Sequence, residues 1–169
     1  GGAIYSSISN LNISHTSISS NNAGNADAGG LNLIYSNANI SDVIINGNTS
    51  GYCGGIIATY SNLIMNNVIV RDNISIGSTG GIGIYQTDAN FNDVIISDNV
   101  AERQSGGMTA IASNLTFTNV EISGNSAGYG GGGIRIENGE WDDFVVTFTD
   151  VRIVENSALG TWGGVSGGG

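Results

Sequence analysis

Gly-Gly pairs begin at residues 1, 29, 54, 80, 106, 132 and 163, at intervals of 28, 25, 26, 26, 26 and 31 residues. Self-similarity at a fixed period is the signature of stacked equivalent units, and it constrains this chain of 169 residues more tightly than composition does. A second mark keeps step with the first. An aliphatic residue followed three places later by Asn occurs at Ile18/Asn21, Ile45/Asn48, Val70/Asn73, Ile96/Asn99, Ile122/Asn125 and Ile153/Asn156.

Aligned on that Asn, the chain falls into columns. Five places before it stand Thr16, Val43, Val68, Val94, Val120 and Val151; eight places before stand Ile13, Ile40, Met65, Phe91, Phe117 and Phe148. A further alternating stretch follows each Gly-Gly, such as Leu31-x-Leu33 and Ile82-x-Ile84. Each repeat therefore reads as three short strands of period 2. Strands this short bury their apolar sides only by stacking on the next repeat, about 4.8 Å away, which makes three parallel sheets around one apolar column. The expected fold is all-β: a parallel β-helix of about six coils, forming a single domain over residues 1–169. Right-handed winding is expected from the general handedness of parallel connections, and from a coil longer than the hexapeptide rhythm of left-handed helices.

Composition agrees. The chain has 23 Ile, 22 Asn and 28 Gly but only 6 Leu and no Pro or Lys, which favours pleated structure and positive-φ corners over helix. The net charge of -10 repels phosphate backbones and anionic lipid, so nucleic acid is excluded as a partner. No apolar run approaches the roughly 20 residues of a membrane span, so this segment inserts in no membrane. The single cysteine, Cys53, reads as a small wall residue.

Ile122-Ser-Gly-Asn125-Ser-Ala127 leading to Gly132-Gly-Ile134, with Gly1-Gly-Ala-Ile4 at the start, resembles the repeats of chlamydial polymorphic outer membrane proteins. Those repeats pair a GGA-[ILV] motif with FxxN. Here Ile or Val replaces the Phe of FxxN, and only the first coil carries GGAI in full. The chain is similar more broadly to secreted β-helices of pectin-lyase-like architecture. The resemblance implies a surface or extracellular solenoid and no particular activity.

Polar columns mark the corners. Beside the Asn column of 21, 48, 73, 99, 125 and 156 run His15, Asp42, Asn67, Asp93, Asn119 and Asp150 six places earlier. Eleven places earlier run Asn10, Asn37, Asn62, Asp88 and Asn114. Stacked amides hydrogen-bond from coil to coil, and Asx side chains satisfy turn backbone, so these columns are expected to be structural, with His15 as a turn residue. Acid–base cleavage of a polysaccharide needs clustered charge. The nearest approach to it is Asp72 and Asp98, in one column on successive coils, with Arg71 beside them. Since that column is a turn, no catalytic set is expected.

The sixth coil is five residues longer than its neighbours, with the excess around Glu137, Glu140, Trp141, Asp142 and Asp143. Four carboxylates there offer oxygen ligands for Ca2+, and an exposed Trp offers a face for a glycan, although the spacing is not that of an EF-hand. No other cofactor is expected. Asn-x-Ser/Thr sequons at Asn12, Asn39, Asn48, Asn73 and Asn114 are possible glycosylation positions in a secreted eukaryotic protein.

Ile44, Ile69 and Ile95 occupy an outward column on consecutive coils. An apolar ridge on a solvated wall marks contact with another chain or with a loop of the same one. Outward positions Asn32, Thr59, Tyr85, Thr109 and Arg135 form no Thr array of the kind that binds ice. The chain starts and stops inside coils, as expected of a slice of a longer solenoid or a unit that joins end to end. The expectation is a non-catalytic stalk, adhesin or fibre element at the cell surface or outside the cell, touching other protein chains, this chain's own copies included, or glycans; the alternative is a β-helix polysaccharide lyase or glycoside hydrolase acting on acidic polysaccharide.

Overall fold

The computed structural model describes residues 1–139 and 143–160, which form a parallel β-solenoid with no helix among them. Two sheets hold six strands each and a third holds five, every pairing is parallel, and partners lie one repeat apart. The first sheet comprises Ile4–Ser7, Leu31–Ile34, Ile56–Thr59, Ile82–Tyr85, Met108–Ile111 and Ile134–Glu137. The second carries the long strands Asn10–Ser19, Asn37–Asn46, Asn62–Arg71, Asp88–Ser97, Leu115–Ser123 and Val146–Val154. The third consists of the two-residue strands Thr49–Ser50, Ile74–Ser75, Val100–Ala101, Ser126–Ala127 and Ser157–Ala158.

The count of three strands per coil holds, but the partition differs from the sequence reading. The stretches around Ile13 and Ile18 are halves of one strand, bent in the middle at His15, and their equivalents in each coil behave alike. The bend is a left-handed residue with φ between 49 and 56° at His15, Asp42, Asn67, Asp93, Asn119 and Asp150. Asn and Asp tolerate that region because their side chains bond locally, which is why the column is almost pure Asx. Ile8, Tyr35, Tyr60, Gln86 and Ala112 make a second left-handed column. Ser20, Gly47, Asp72, Asp98, Gly124 and Glu155 make a third. The first five coils thus each carry a left-handed residue at three fixed points.

Between the turns the inward columns meet as expected. Ile40, Met65, Phe91 and Phe117 stack in register and are buried, with Phe91, Phe117 and Phe148 rings 4.9 Å apart and nearly parallel. Stacking identical residues on themselves gives one continuous core whose cross-section is set once and repeated.

The Gly-Gly pair has a steric cause. Its first glycine passes directly over the third sheet: a Cβ on Gly54 would lie 2.6 Å from the Ile74 nitrogen, and one on Gly80 2.6 Å from that of Val100. A Cβ on its second glycine would meet the carbonyl oxygen of the next coil's glycine, Gly81 for Gly55 and Gly107 for Gly81, and would crowd the Asn carboxamide of its own coil, with Asn73 Nδ2 3.3 Å from a Cβ on Gly55 and Asn99 Nδ2 3.1 Å from one on Gly81. The two periodic marks in the sequence are therefore two sides of one contact. The third sheet's inward residues, Ser50, Ser75, Ala101 and Ala127, are small for the same reason.

The outer face of the first sheet is not solvated as its alternation suggests. Its register column is Asn32, Ile57, Gly83, Thr109 and Arg135, and of these all but Arg135 are buried. The loop leading to each Gly-Gly folds back over them, and Ala28, Cys53, Thr79, Ser105 and Gly131 bridge from coil to coil above that face. Ala28, Cys53 and Ile57 pack with Tyr85 as a small second core. Cys53 is a buried wall residue, as expected, and burial pushes its thiol pKa up to about 12.

Candidate functional site

Asp72 and Asp98 do share a column, but its geometry is that of a corner. Both are left-handed, at φ 54°, and the same column holds Gly47 and Gly124 at φ 64°. Their backbone nitrogens continue the ladder, donating to Ser97 and Ser123 carbonyls at 3.2 and 3.1 Å. Arg71 Nε lies 3.8 Å from Asp72 Oδ2, with both side chains about half exposed. The carboxylate of Asp98 leans over Gly124, against the space a side chain there would need. A glycine in the column does the same structural work. Asp98→Gly is accordingly expected to leave stability unchanged or slightly higher, while Asp98→Val loses about 1–2 kcal/mol from forcing a β-branched residue left-handed. Chemical denaturation of the two variants checks this, and equal behaviour would sink the corner assignment.

Of the Ca2+ candidates, Glu140 and Asp142 lie outside the described residues. Glu137 pairs with Arg135, which also donates to Gln104 Oε1 at 2.8 Å, and Asp143 lies beyond Asn138 and Gly139. No cluster of three or more potential metal ligands occurs among the described residues.

The Asn column is an unbroken amide ladder. Asn48, Asn73, Asn99 and Asn125 are 0 % exposed, and Asn21 and Asn156 at its ends are partly covered. Each buried Nδ2 donates to a backbone carbonyl of the preceding coil and to the Oδ1 of the next Asn; that Oδ1 also accepts from a backbone N–H. This corrects the glycosylation reading for Asn48 and Asn73. Their nitrogens are spent inside the wall, and no glycan fits there in the folded chain. Asn12, Asn39 and Asn114 are exposed, with Asn39 Nδ2 donating to Asn12 Oδ1 at 3.2 Å. His15 is exposed in the Asx column, its Nε2 3.7 Å from Asp42 Oδ2.

Ile44, Ile69 and Ile95 are direct neighbours on the outside of the long sheet, with Ile44 and Ile95 40 % and 41 % exposed. Ser17 precedes them in the column, and the exposed pair Glu121 and Arg152, 3.0 Å apart, follows. The Ser123 hydroxyl, and after it the Arg152 guanidinium, hold the Glu121 carboxyl below its ordinary pKa. A groove of about 380 Å3 runs beside the ridge, lined by Ile95, Asp93, Asp150, Glu121 and Arg152.

A second groove, of about 420 Å3, was not anticipated from the sequence. It opens where the left-handed column steps down from Tyr60 through Gln86 to Ala112, with Asn62 and Asp88 along its side and Phe144 at its far end. Tyr60 is braced from behind by Tyr35, whose ring is parallel to within 6° at 4.9 Å. Phe144 comes from the long corner of the last coil, where residues 138–145 run in place of 112–114. Tyrosines 25 residues apart at positions 35 and 60 were the available signal, hidden because nothing in their residue type marks a left-handed turn.

Comparison with models of known protein families, with curated proteins and with solved structures finds no match to this chain.

Proposed function

We propose that the chain is a structural and adhesive segment of an extracellular or cell-surface protein, a rigid solenoid whose walls contact other chains, as its likeness to polymorphic outer membrane protein repeats also suggests. The observation that carries this reading is the ridge of Ile44, Ile69 and Ile95, held in register on an outer wall and left half-exposed. Contiguous apolar side chains on an outer wall mark a contact surface. The corner role of Asp72 and Asp98 supports the same reading, since the most catalytic-looking carboxylates already have work in the frame.

Ile69→Lys tests it. The expected result is an unchanged melting curve, since the side chain lies outside the core, with loss of self-association or of partner capture measured by light scattering and pull-down. Unchanged assembly and unchanged capture would remove the ridge as an interface. Turnover of pectate or alginate that Asp98→Asn abolishes would replace the structural reading with an enzymatic one.

A further inference from the structure

We propose that the groove between Tyr60 and Phe144 is a binding site for a neutral, extended glycan lying along the solenoid axis. Three observations point there, none of them dependent on the adhesive role of the isoleucine ridge.

The first is the pair of aromatic walls. Tyr60 stands at the left-handed turn of the third coil and Phe144 in the long corner before Val146, and both line one groove with Gln86 and Ala112 of the intervening coils. The floor between them is low, falling from Gln86 to Ala112. With Gln86 and Ala112 lining the groove between them, the two rings are set along a slot and do not form a cage around one small group. They suit instead a chain of flat-faced rings that meets one aromatic side chain at each end. Tyr60 needs no reorganisation to serve, because Tyr35 already fixes its plane.

The second is a break in an amide ladder. Asn37 donates to Asn10 at 2.9 Å and Asn62 donates to Asn37 at 2.8 Å. The next residue in the column is Asp88, which has no amide to donate; its Oδ1 accepts from Asn114 at 2.9 Å. Asn62 Oδ1 and Asp88 Oδ2 are thus acceptors that receive no hydrogen bond from a described residue, on side chains that sit in register on adjacent coils and line the groove. The carboxamide of Gln86 beside them is also without a partner among the described residues, adding a donor. Sugar hydroxyls both donate and accept, and match such a mixed row.

The third is charge. Among the described residues that line the groove Asp88 is the carboxylate and none is a cation, and the chain carries a net charge of -10. A uronate or phosphate ligand would bring anions against a carboxylate with nothing to pair them. The ligand class is therefore a neutral hexose polymer. Acidic polysaccharides are disfavoured at this site.

The test is calorimetric and NMR titration of the whole chain with cellohexaose, mannohexaose and a galactohexaose, alongside hexagalacturonate and hexalysine. Saturable binding of at least one neutral hexasaccharide is expected. Tyr60→Ala and Phe144→Ala should each weaken it about tenfold, the equivalent of one lost ring contact. Tyr5→Ala, an exposed tyrosine outside the groove, should leave it unchanged. Asp88→Asn covers the case in which a ring variant fails to fold. It restores the amide that the column carries elsewhere, so the fold is expected to survive while the acceptors are spent and affinity falls several-fold. No saturation with any neutral sugar, stronger binding of hexagalacturonate or hexalysine, or equal loss in Tyr5→Ala would overturn the proposal and leave the ridge untouched.

Discussion

Asn99→Ala is expected to lower stability by about 4 kcal/mol, the largest effect of any substitution that removes only polar atoms. The side chain makes four hydrogen bonds at 0 % exposure. Its Nδ2 donates to the Val70 carbonyl at 2.9 Å and to Asn125 Oδ1 at 3.0 Å; its Oδ1 accepts from the backbone nitrogen and the Nδ2 of Asn73 at 3.0 and 2.9 Å. Truncation strands the Val70 carbonyl, the Asn73 backbone N–H and one of the two Asn73 Nδ2 hydrogens in a dry wall, while the other keeps its bond to the Ile45 carbonyl, and each buried orphan costs about 1–3 kcal/mol. The neighbouring exposed ladder provides the comparison. Asn114 donates to Asp88 at 2.9 Å and accepts from the Val145 nitrogen at 3.0 Å, but both bonds are exposed and water replaces them, so Asn114→Ala should cost under about 1 kcal/mol. Denaturant unfolding of both variants decides the matter: equal losses would mean that the buried amides contribute nothing special.

Gly80→Ala is expected to cost about 3 kcal/mol or more, and to do so through sterics alone. The added methyl would meet the Gly106 carbonyl oxygen and lie 2.6 Å from the Val100 nitrogen and 2.8 Å from its carbonyl carbon. All three are backbone atoms tied into ladders, so no rotamer change relieves the contact. Gly24→Ala separates this cause from conformational strain. Gly24 has φ +58° but nothing within 4 Å of where its Cβ would stand, so only the left-handed penalty of about 1–2 kcal/mol applies. If the two alanine variants melt together, the close approach of the Gly-Gly corner to the third sheet is not what fixes that motif.

These two sites also show what the sequence makes legible. The Asn column and the Gly-Gly marks announce the period because each has a chemical requirement that only one residue type meets. The inward Ile, Val and Phe columns are equally plain, since alternation and burial coincide. The bend at His15, Asp42 and Asn67 reads as a corner between strands, because an Asx column looks the same whether the ladder stops or continues through it. The third sheet is invisible because two residues carry no periodicity. Asn32 and Thr109 alternate like solvent-facing residues and are buried only because a loop folds over them. The groove escapes notice for a different reason. It is made by the left-handed turn at Tyr60, where a tyrosine breaks the usual residue preference, together with an insertion three coils further on. A ladder break at Asp88 was in plain view, but a single Asp among Asn residues gains meaning only when its neighbours' bonds are known.

The long corner at 138–145 has a consequence for how such a molecule diversifies. Val146 still pairs with Leu115 and Asn156 still bonds Asn125, so the added length is absorbed before the next strand begins. The rim at this vertex can vary in size while the frame beneath keeps its rhythm. New surface can therefore be gained there by simple lengthening, leaving the amides and the aromatic spine unedited.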